Sequence, residues 1–208
     1  MLVSPGPQTQ NKKMAIKTST ARRSDEILDI TIKLLAYDGH ASVSMRKIAD
    51  RAGIRLSTLQ YYFPTKRKLL QSAIERCIGD VVKRMDKMAL KSKLAPEKLF
   101  HKILKLHLSI SIDPFISKFF FALWALAGHD AEVETLLNEV YERDCLRYAE
   151  FIRRINPGLS KKAAHLKAVL ILAQLEGLVL FVTSGKPNAA NLRSIEKELL
   201  TTVDKIIF

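Results

Sequence analysis

The chain reads as all-α. Nearly every segment between breakers carries apolar residues at helical intervals, and no alternating apolar and polar run lasts long enough to propose a sheet. Proline, glycine and asparagine fall where they divide the 208 residues into nine helices. A hydrophobic fraction of 48% is ample for a core and a charged fraction of 26% is ordinary, which excludes global disorder.

A first helix is expected from about Thr20 to Tyr37, with Ile27, Ile30, Leu34 and Leu35 inward, ending at Asp38-Gly39. Residues 1–19 before it, with Pro5, Gly6 and Pro7 among scattered lysines, read as a disordered basic segment without the apolar run of a signal peptide. Ser44 can offer its hydroxyl to the free backbone N–H groups of a short second helix, Met45 to Arg51, which Gly53 ends. A third helix, Leu56 to Tyr62, is closed by Pro64, because proline disfavours the α conformation at Phe63. Thr65 caps a long fourth helix whose Leu69, Leu70, Ala73, Ile74, Cys77, Ile78, Val81 and Met85 recur at core-facing intervals.

Five further helices are expected: Pro96 to Ile112, Pro114 to Ala127, Ala131 to Ile155, Ser160 to Thr183 and Ala190 to Ile207. Their limits are Pro96, Asp113-Pro114, Gly128, Asn156-Pro157-Gly158 and Ser184-Gly185-Lys186-Pro187. No segment repeats at a fixed period, which argues against a solenoid.

The net charge of +13 is concentrated at the front: residues 1–70 hold 13 Lys/Arg against 5 Asp/Glu, and the other 138 residues hold 21 against 16. Such asymmetry points to a polyanion, either nucleic acid or an acidic membrane surface. The helices lack the continuous Lys/Arg face opposite Trp, Phe and Leu that binding to lipid favours, so no membrane partner is expected. Ala168 to Val182, the most apolar stretch, is shorter than the ~20 residues of a spanning helix and holds Gln174, Glu176 and Gly177; it reads as a buried helix. Cys77 and Cys145 sit in helical patterns without metal-ligand spacing and read as reduced thiols of a cytoplasmic protein. With no HExxH, no phosphate-cradling glycine loop and no nucleophile motif, neither enzymatic activity nor a metal or cofactor is expected.

Function is carried by "SMRKIADRAGIRLSTLQYYF", two short helices joined by a tight glycine turn, the outline of a helix-turn-helix. Small Ala49 lets the helices approach, and Gly53 can take the positive φ of the turn. Ile48, Ile54 and Leu59 are expected to pack on the first helix. The opposite side of the third helix carries Arg55, Ser57, Thr58, Gln60 and Tyr61, donors and acceptors suited to base edges in the major groove. Ser44, Arg46, Tyr62, Thr65 and Lys66 are placed to hold flanking phosphates, which fix register without carrying sequence information. Phe63 is most simply core. If the basic stretch Lys12 to Arg23 reaches DNA, a minor groove is its natural site.

Residues 27–70, from "ILDITIKLLAYDG" through "SMRKIADRAGI" and "TLQYYF" to "PTKRKLL", resemble the N-terminal domain of the TetR family of bacterial transcriptional regulators. The departures are Gln60, where the family most often has Tyr, and Arg55-Leu56-Ser57, where a Ser-x-Gly run is common. Both lie on the reading face and bear on the operator sequence rather than on DNA binding. The resemblance implies a nine-helix fold with a DNA-binding domain over 20–70 and a ligand-binding and dimerisation domain over 71–208. Its implied partners are a palindromic double-stranded operator, a second copy of the chain and a small-molecule effector. A ligand-independent or architectural DNA binder remains open beside a ligand-released repressor.

Leu166 to Val182 is apolar all round, so a second apolar surface must cover part of it. The last helix carries a stripe at Leu192, Ile195, Leu199, Val203 and Ile206. Together with the family's usual dimer, these place the interface at Leu170, Gly177, Leu178, Phe181, Leu192, Ile195, Leu199 and Val203. In the family, helices 4 to 8 surround an inducer pocket. Here "FISKFFFALWALAGH" supplies aromatic walls, and the pocket residues expected are His107, Ser111, Phe119, Phe120, Trp124, Tyr141, Tyr148 and Gln174, around a mostly apolar or aromatic ligand.

Overall fold

The computed structural model describes residues 7–39 and 43–208, with side chains from residue 20 onward. Nine α-helices and no strand occur among the described residues: α1 (Pro7–Lys33), α2 (Met45–Arg51), α3 (Leu56–Tyr62), α4 (Lys66–Lys91), α5 (Pro96–Ser111), α6 (Pro114–Ala127), α7 (Ala131–Ile155), α8 (Lys161–Val182) and α9 (Leu192–Ile207). Helix α1 differs from expectation at its start. Residues 7–19, expected as disordered, are helical, while residues 1–6 lie outside the described residues. The basic stretch Lys12 to Arg23 is thus part of α1, and its side chains up to residue 19 lie outside the described residues.

Helix α1 ends in a π-helical turn, Leu34–Asp38, after which Gly39 takes φ 76°. The Asp38-Gly39 stop acts as expected because glycine reaches positive φ without a Cβ clash. The other ends are equally local in origin. The Ser44, Thr65 and Ser160 hydroxyls accept from Lys47 N, Lys68 N and Ala163 N, capping α2, α4 and α8. The Asp113 carboxylate accepts from Phe115 N at 2.9 Å and Ile116 N at 3.0 Å, starting α6 after a 79° bend from α5.

Two apolar clusters hold the helices together. The first joins α1, α2, α3, the front of α4, α6 and the front of α7 around Ile27, Leu35, Ile48, Leu59, Leu69 and Phe119. The second joins the end of α4, α5, the back of α7, α8 and α9 around Phe100, Ile103, Tyr148, Ile152, Ala168 and Val203. Helix α4 belongs to both, with Leu69, Leu70, Ala73 and Ile74 in one and Met85 in the other. Each fully buried Leu, Ile or Phe contributes about 1.5–3 kcal/mol, so moving α4 disturbs both clusters.

The two last helices correct two expectations. Helix α8 runs for 22 residues and is by length and composition the one described helix able to cross a membrane by itself, so its length is no argument against spanning. Nor is it a buried helix: a third of its apolar window is buried, against α5, α7 and α9. Leu166, Val169, Leu170, Leu180 and Phe181 stand on the outside, the last 58% exposed. In α9 the apolar stripe faces the chain's own core. Leu199 is 6% and Val203 0% exposed, and Leu192 packs against the same cluster, while Arg193, Lys197, Glu198, Thr201 and Lys205 occupy the outer side. Leu199 and Val203 therefore cannot form the interface expected of them. Leu170 and Phe181 are exposed, and Gly177, Leu178 and Ile195 are half-buried.

Candidate functional site

The α2–α3 unit is built by one turn. Gly53 takes φ 62°, and Ile54 N donates to Ala49 O at 3.0 Å, folding α3 back across α2. Ala49 is 1% exposed, so its methyl is all that the crossing admits. Arg23 of α1 donates to Ala52 O at 3.1 Å, tying the turn to the first helix. Beneath it Ile48 and Leu59 are fully buried and Phe63 nearly so, and Ile54 packs partly against the same cluster.

On the outside, Arg55, Ser57, Gln60 and Tyr61 are exposed and Thr58 is half-buried, so the expected base-reading residues are accessible to solvent. Tyr61 stands 77% exposed, its ring edge-on to Tyr62 with centroids 5.3 Å apart. Tyr62 itself packs partly into the first cluster. Arg46 is exposed at the start of α2. Ser44 and Thr65 each accept one helix-cap hydrogen bond, which leaves each hydroxyl hydrogen for a phosphate.

Lys66 is committed elsewhere. Its ammonium lies 2.8 Å from Asp130 Oδ2, while Asp130 Oδ1 caps α7 by accepting from Glu132 N and Val133 N. The Lys66 hydrogen bond holds the Asp130 carboxyl below the usual carboxylate range. Arg67 likewise meets both carboxylate oxygens of Glu139, at 2.7 and 2.6 Å, and donates to Glu132 O. The start of α4 is thus clamped to α7.

A cavity opens where α4, α5, α6, α7 and α8 meet. Ile78, Val81, Met85, Ile116, Phe120, Trp124 and Val179 form its apolar walls, and His107, Ser111, Tyr141, Asp144, Arg147 and Glu176 bring polar groups. About 60 Å³ is open to the centre of a water-sized sphere, room for a few waters at on the order of 10–15 Å³ each. Of the expected pocket residues, His107, Ser111, Phe120, Trp124 and Tyr141 line it. Phe119 does not: fully buried, it belongs to the first core cluster. Gln174 is also off the wall. Glu176 lies two residues further on, roughly 200° around a helix of 3.6 residues per turn, and lines the cavity instead. Tyr148 sits behind His107, 1% exposed, its hydroxyl 2.6 Å from Nδ1.

The cavity's polar groups pair off in three sets: Tyr148, His107 and Glu176; Trp124 and Tyr141; and Arg147 with Asp144 and Asp86. His107 Nε2 lies 3.2 Å from Glu176 Oε1, which as a carboxylate can only accept, so Nε2 carries a proton. Trp124 Nε1 donates to the Tyr141 hydroxyl at 2.5 Å. Arg147 lies 2.8 Å from Asp144 and 3.7 Å from Asp86. Burial pushes the Asp144 carboxyl above its ordinary range, against the pull of His107 and Arg147, and burial also raises the Tyr141 and Tyr148 phenols. Cys77, partly buried beside α1, is pushed up to about 12 by desolvation, and neither it nor Cys145 is in a disulfide.

Asp144, Arg147 and Glu176 were missed, though a signal existed. Glu176 follows Leu172 by four residues and precedes Val179 by three, which places a carboxylate on the same face as buried Leu172 and Val179.

Comparison with known proteins supports this architecture. Residues 27–73 match the family profile described as "Bacterial regulatory proteins, tetR family". The HTH-type transcriptional repressor KstR of Mycobacterium tuberculosis is 29% identical over 126 residues, covering 58% of this chain and 57% of that repressor. The KstR of Mycolicibacterium smegmatis is 30% identical over 126 residues, covering 58% and 62%. The match thus takes in somewhat over half the length of these relatives. Among solved structures, a TetR transcription regulator from Haloarcula marismortui superposes with a TM-score of 0.64 at 18% identity, covering 90% of this chain and 97% of that one. A Saccharomonospora viridis protein assigned as a transcriptional regulator, in complex with choline, gives 0.64 at 21%, covering 90% and 96%. At these identities the structural likeness establishes the fold.

Proposed function

We propose, from the premise that the chain belongs to the TetR family of bacterial transcriptional regulators, that it is a homodimeric, sequence-specific DNA-binding repressor in the cytoplasm, released from its operator by a small molecule. It is not an enzyme, as the comparisons with regulators indicate. Residues 20–70 read DNA, and residues 71–208 carry the effector cavity and the dimer face. The observation that carries this reading is the exposed set Arg55, Ser57, Gln60 and Tyr61 on a helix whose other side is locked by Leu59. Arg55 pairs with guanine and Gln60 with adenine, while Ser44, Arg46 and Thr65 hold phosphates.

The dimer face is the outer side of α8, where Leu166, Val169, Leu170, Leu180 and Phe181 form an apolar strip with Gly177 between them. An exposed strip of this length calls for a partner surface. The effector has an apolar or aromatic body and enters the cavity behind α4. Since only a few waters fit there, a larger ligand must move α4 from α7, and α4 shares its core with α3. The ligand then favours a dimer whose reading helices are wrongly spaced for successive major grooves.

The test is selection from a random duplex pool near physiological salt. A palindrome with half-sites roughly one helical turn apart is expected. Salt-sensitive retention without any motif overturns sequence-specific reading and favours the architectural alternative.

A further inference from the structure

We infer that the cavity takes a small organic cation, an ammonium or amidinium on an apolar or aromatic body, with its charged head between Glu176 and Asp144. This deepens the reading of the cavity as the effector site and rests on it. Asp144, Arg147, His107 and Glu176 are the ionisable side chains on the wall besides the Tyr141 phenol. Both ring nitrogens of His107 are occupied, Nδ1 by the Tyr148 hydroxyl at 2.6 Å and Nε2 by Glu176 at 3.2 Å. With Asp86, which also faces Arg147, three carboxylates meet one guanidinium and one imidazole, an acidic excess beside a mostly apolar space in either protonation state of the imidazole.

The positive group already present is the one least able to serve a ligand. Arg147 is held through Nη1 by Asp144 on its own helix and faces Asp86 of α4 through Nε, so an anion entering the cavity shares the guanidinium with two carboxylates already beside it. The Glu176 side chain is 22% exposed and meets His107. At Glu176 an entering cation meets an imidazole rather than a guanidinium, and a charge taken out of water requires a partner of opposite sign. The aromatic wall favours the same ligand. The Tyr141 hydroxyl accepts the Trp124 N–H and keeps its own hydrogen to donate, which leaves the Trp124 ring surface, together with Phe120, for the ligand, and ring faces attract cations.

Trp124 is the single tryptophan of the chain and lines the cavity, so its fluorescence reports occupancy directly. The full chain is titrated with three probes of similar shape: benzylammonium, benzyl alcohol and benzoate. Benzylammonium is expected to bind at least about tenfold more tightly than benzyl alcohol, with benzoate weakest, in line with the cost of an unpaired buried charge. E176Q should bring benzylammonium to the level of benzyl alcohol, and D144N should weaken it less, because Asp144 is shared with Arg147. Circular dichroism checks that both variants keep their helix content; if either fails to fold, the ranking of the three probes on the unaltered chain decides. Equal or tighter binding of benzoate or benzyl alcohol overturns the inference, as does the absence of any benzylammonium response. Duplex selection separates the two readings. A palindrome without cation preference removes only the ligand class, whereas cation preference without a palindrome removes the DNA reading and leaves the cavity assignment.

Discussion

The reading face and the cavity hold their polar groups in opposite ways. On α3 and at its N-cap, Arg55, Ser57, Gln60 and Tyr61 stand out from a rigid base, and their side chains have no hydrogen-bonding partner among the described residues. In the cavity, His107, Tyr148, Glu176, Asp144, Arg147, Trp124 and Tyr141 are each hydrogen-bonded or paired to another member of the network or a neighbour. The contrast follows from solvent. In water an uncommitted polar side chain costs nothing and stays available to base edges, whereas in an apolar cavity an unsatisfied group costs roughly 1–3 kcal/mol. One surface is therefore complementary to a partner only on contact, and the other is organised in advance.

That contrast can be broken by degrees. The largest expected effect lies under neither surface but in the second core cluster: Leu199→Ala should cost about 2–5 kcal/mol in urea unfolding, while Leu170→Ala, at an exposed α8 position, should cost much less at protein concentrations where the chain is monomeric. Similar losses would return α9 to the dimer face. On the reading face, Arg55→Ala should leave stability within about 0.5 kcal/mol yet weaken a selected operator by about 1–3 kcal/mol, measured by fluorescence anisotropy against a scrambled duplex. In the cavity the balance is reversed. Tyr148→Phe strips His107 Nδ1 of its buried partner and should cost about 1–3 kcal/mol of stability with operator affinity at saturating protein unchanged.

The smallest effect concerns the clamp between the two regions. Asp130 has a carboxyl lowered by Lys66, so its contribution is present above the ordinary carboxylate pKa and is lost as pH falls through the lowered folded value. Asp130→Asn should therefore cost about 1 kcal/mol at neutral pH, and the gap to the unaltered chain should close in acid. Lys66 released from Asp130 should also raise affinity for nonspecific duplex and steepen its salt dependence. An unchanged salt slope would show that Lys66 does not reach DNA.

Much of this was legible before any coordinates. The ends of α2, α3, α4 and α6 follow from Ser44, Gly53, Pro64, Thr65 and Asp113, whose effects are confined to a turn of chain. The inner and outer sides of α3 were legible for the same reason, since Leu59 in and Arg55 and Gln60 out are set by 3.6-residue periodicity within seven residues. The start of α1 was misjudged, because Pro5-Gly6-Pro7 reads as a breaker while proline at the first helical position is tolerated.

What required the tertiary structure was every choice between equivalent faces and every meeting of distant residues. Helix α8 is apolar on all sides, so its sequence has no preferred inward direction, and only packing against α5, α7 and α9 left Leu170 and Phe181 outside. In α9 the stripe is plain from sequence, yet whether it faces its own core or another chain depends on where α8 puts it; Val203 went inside. Lys66 meets Asp130 across 64 positions, and Glu176 meets His107 across 69. Local rules specify the helices and the glycine turn because hydrogen-bond caps and backbone sterics act within a few residues. The cavity's charge pattern comes from side chains on separate helices, and it exists only once the core has brought them together.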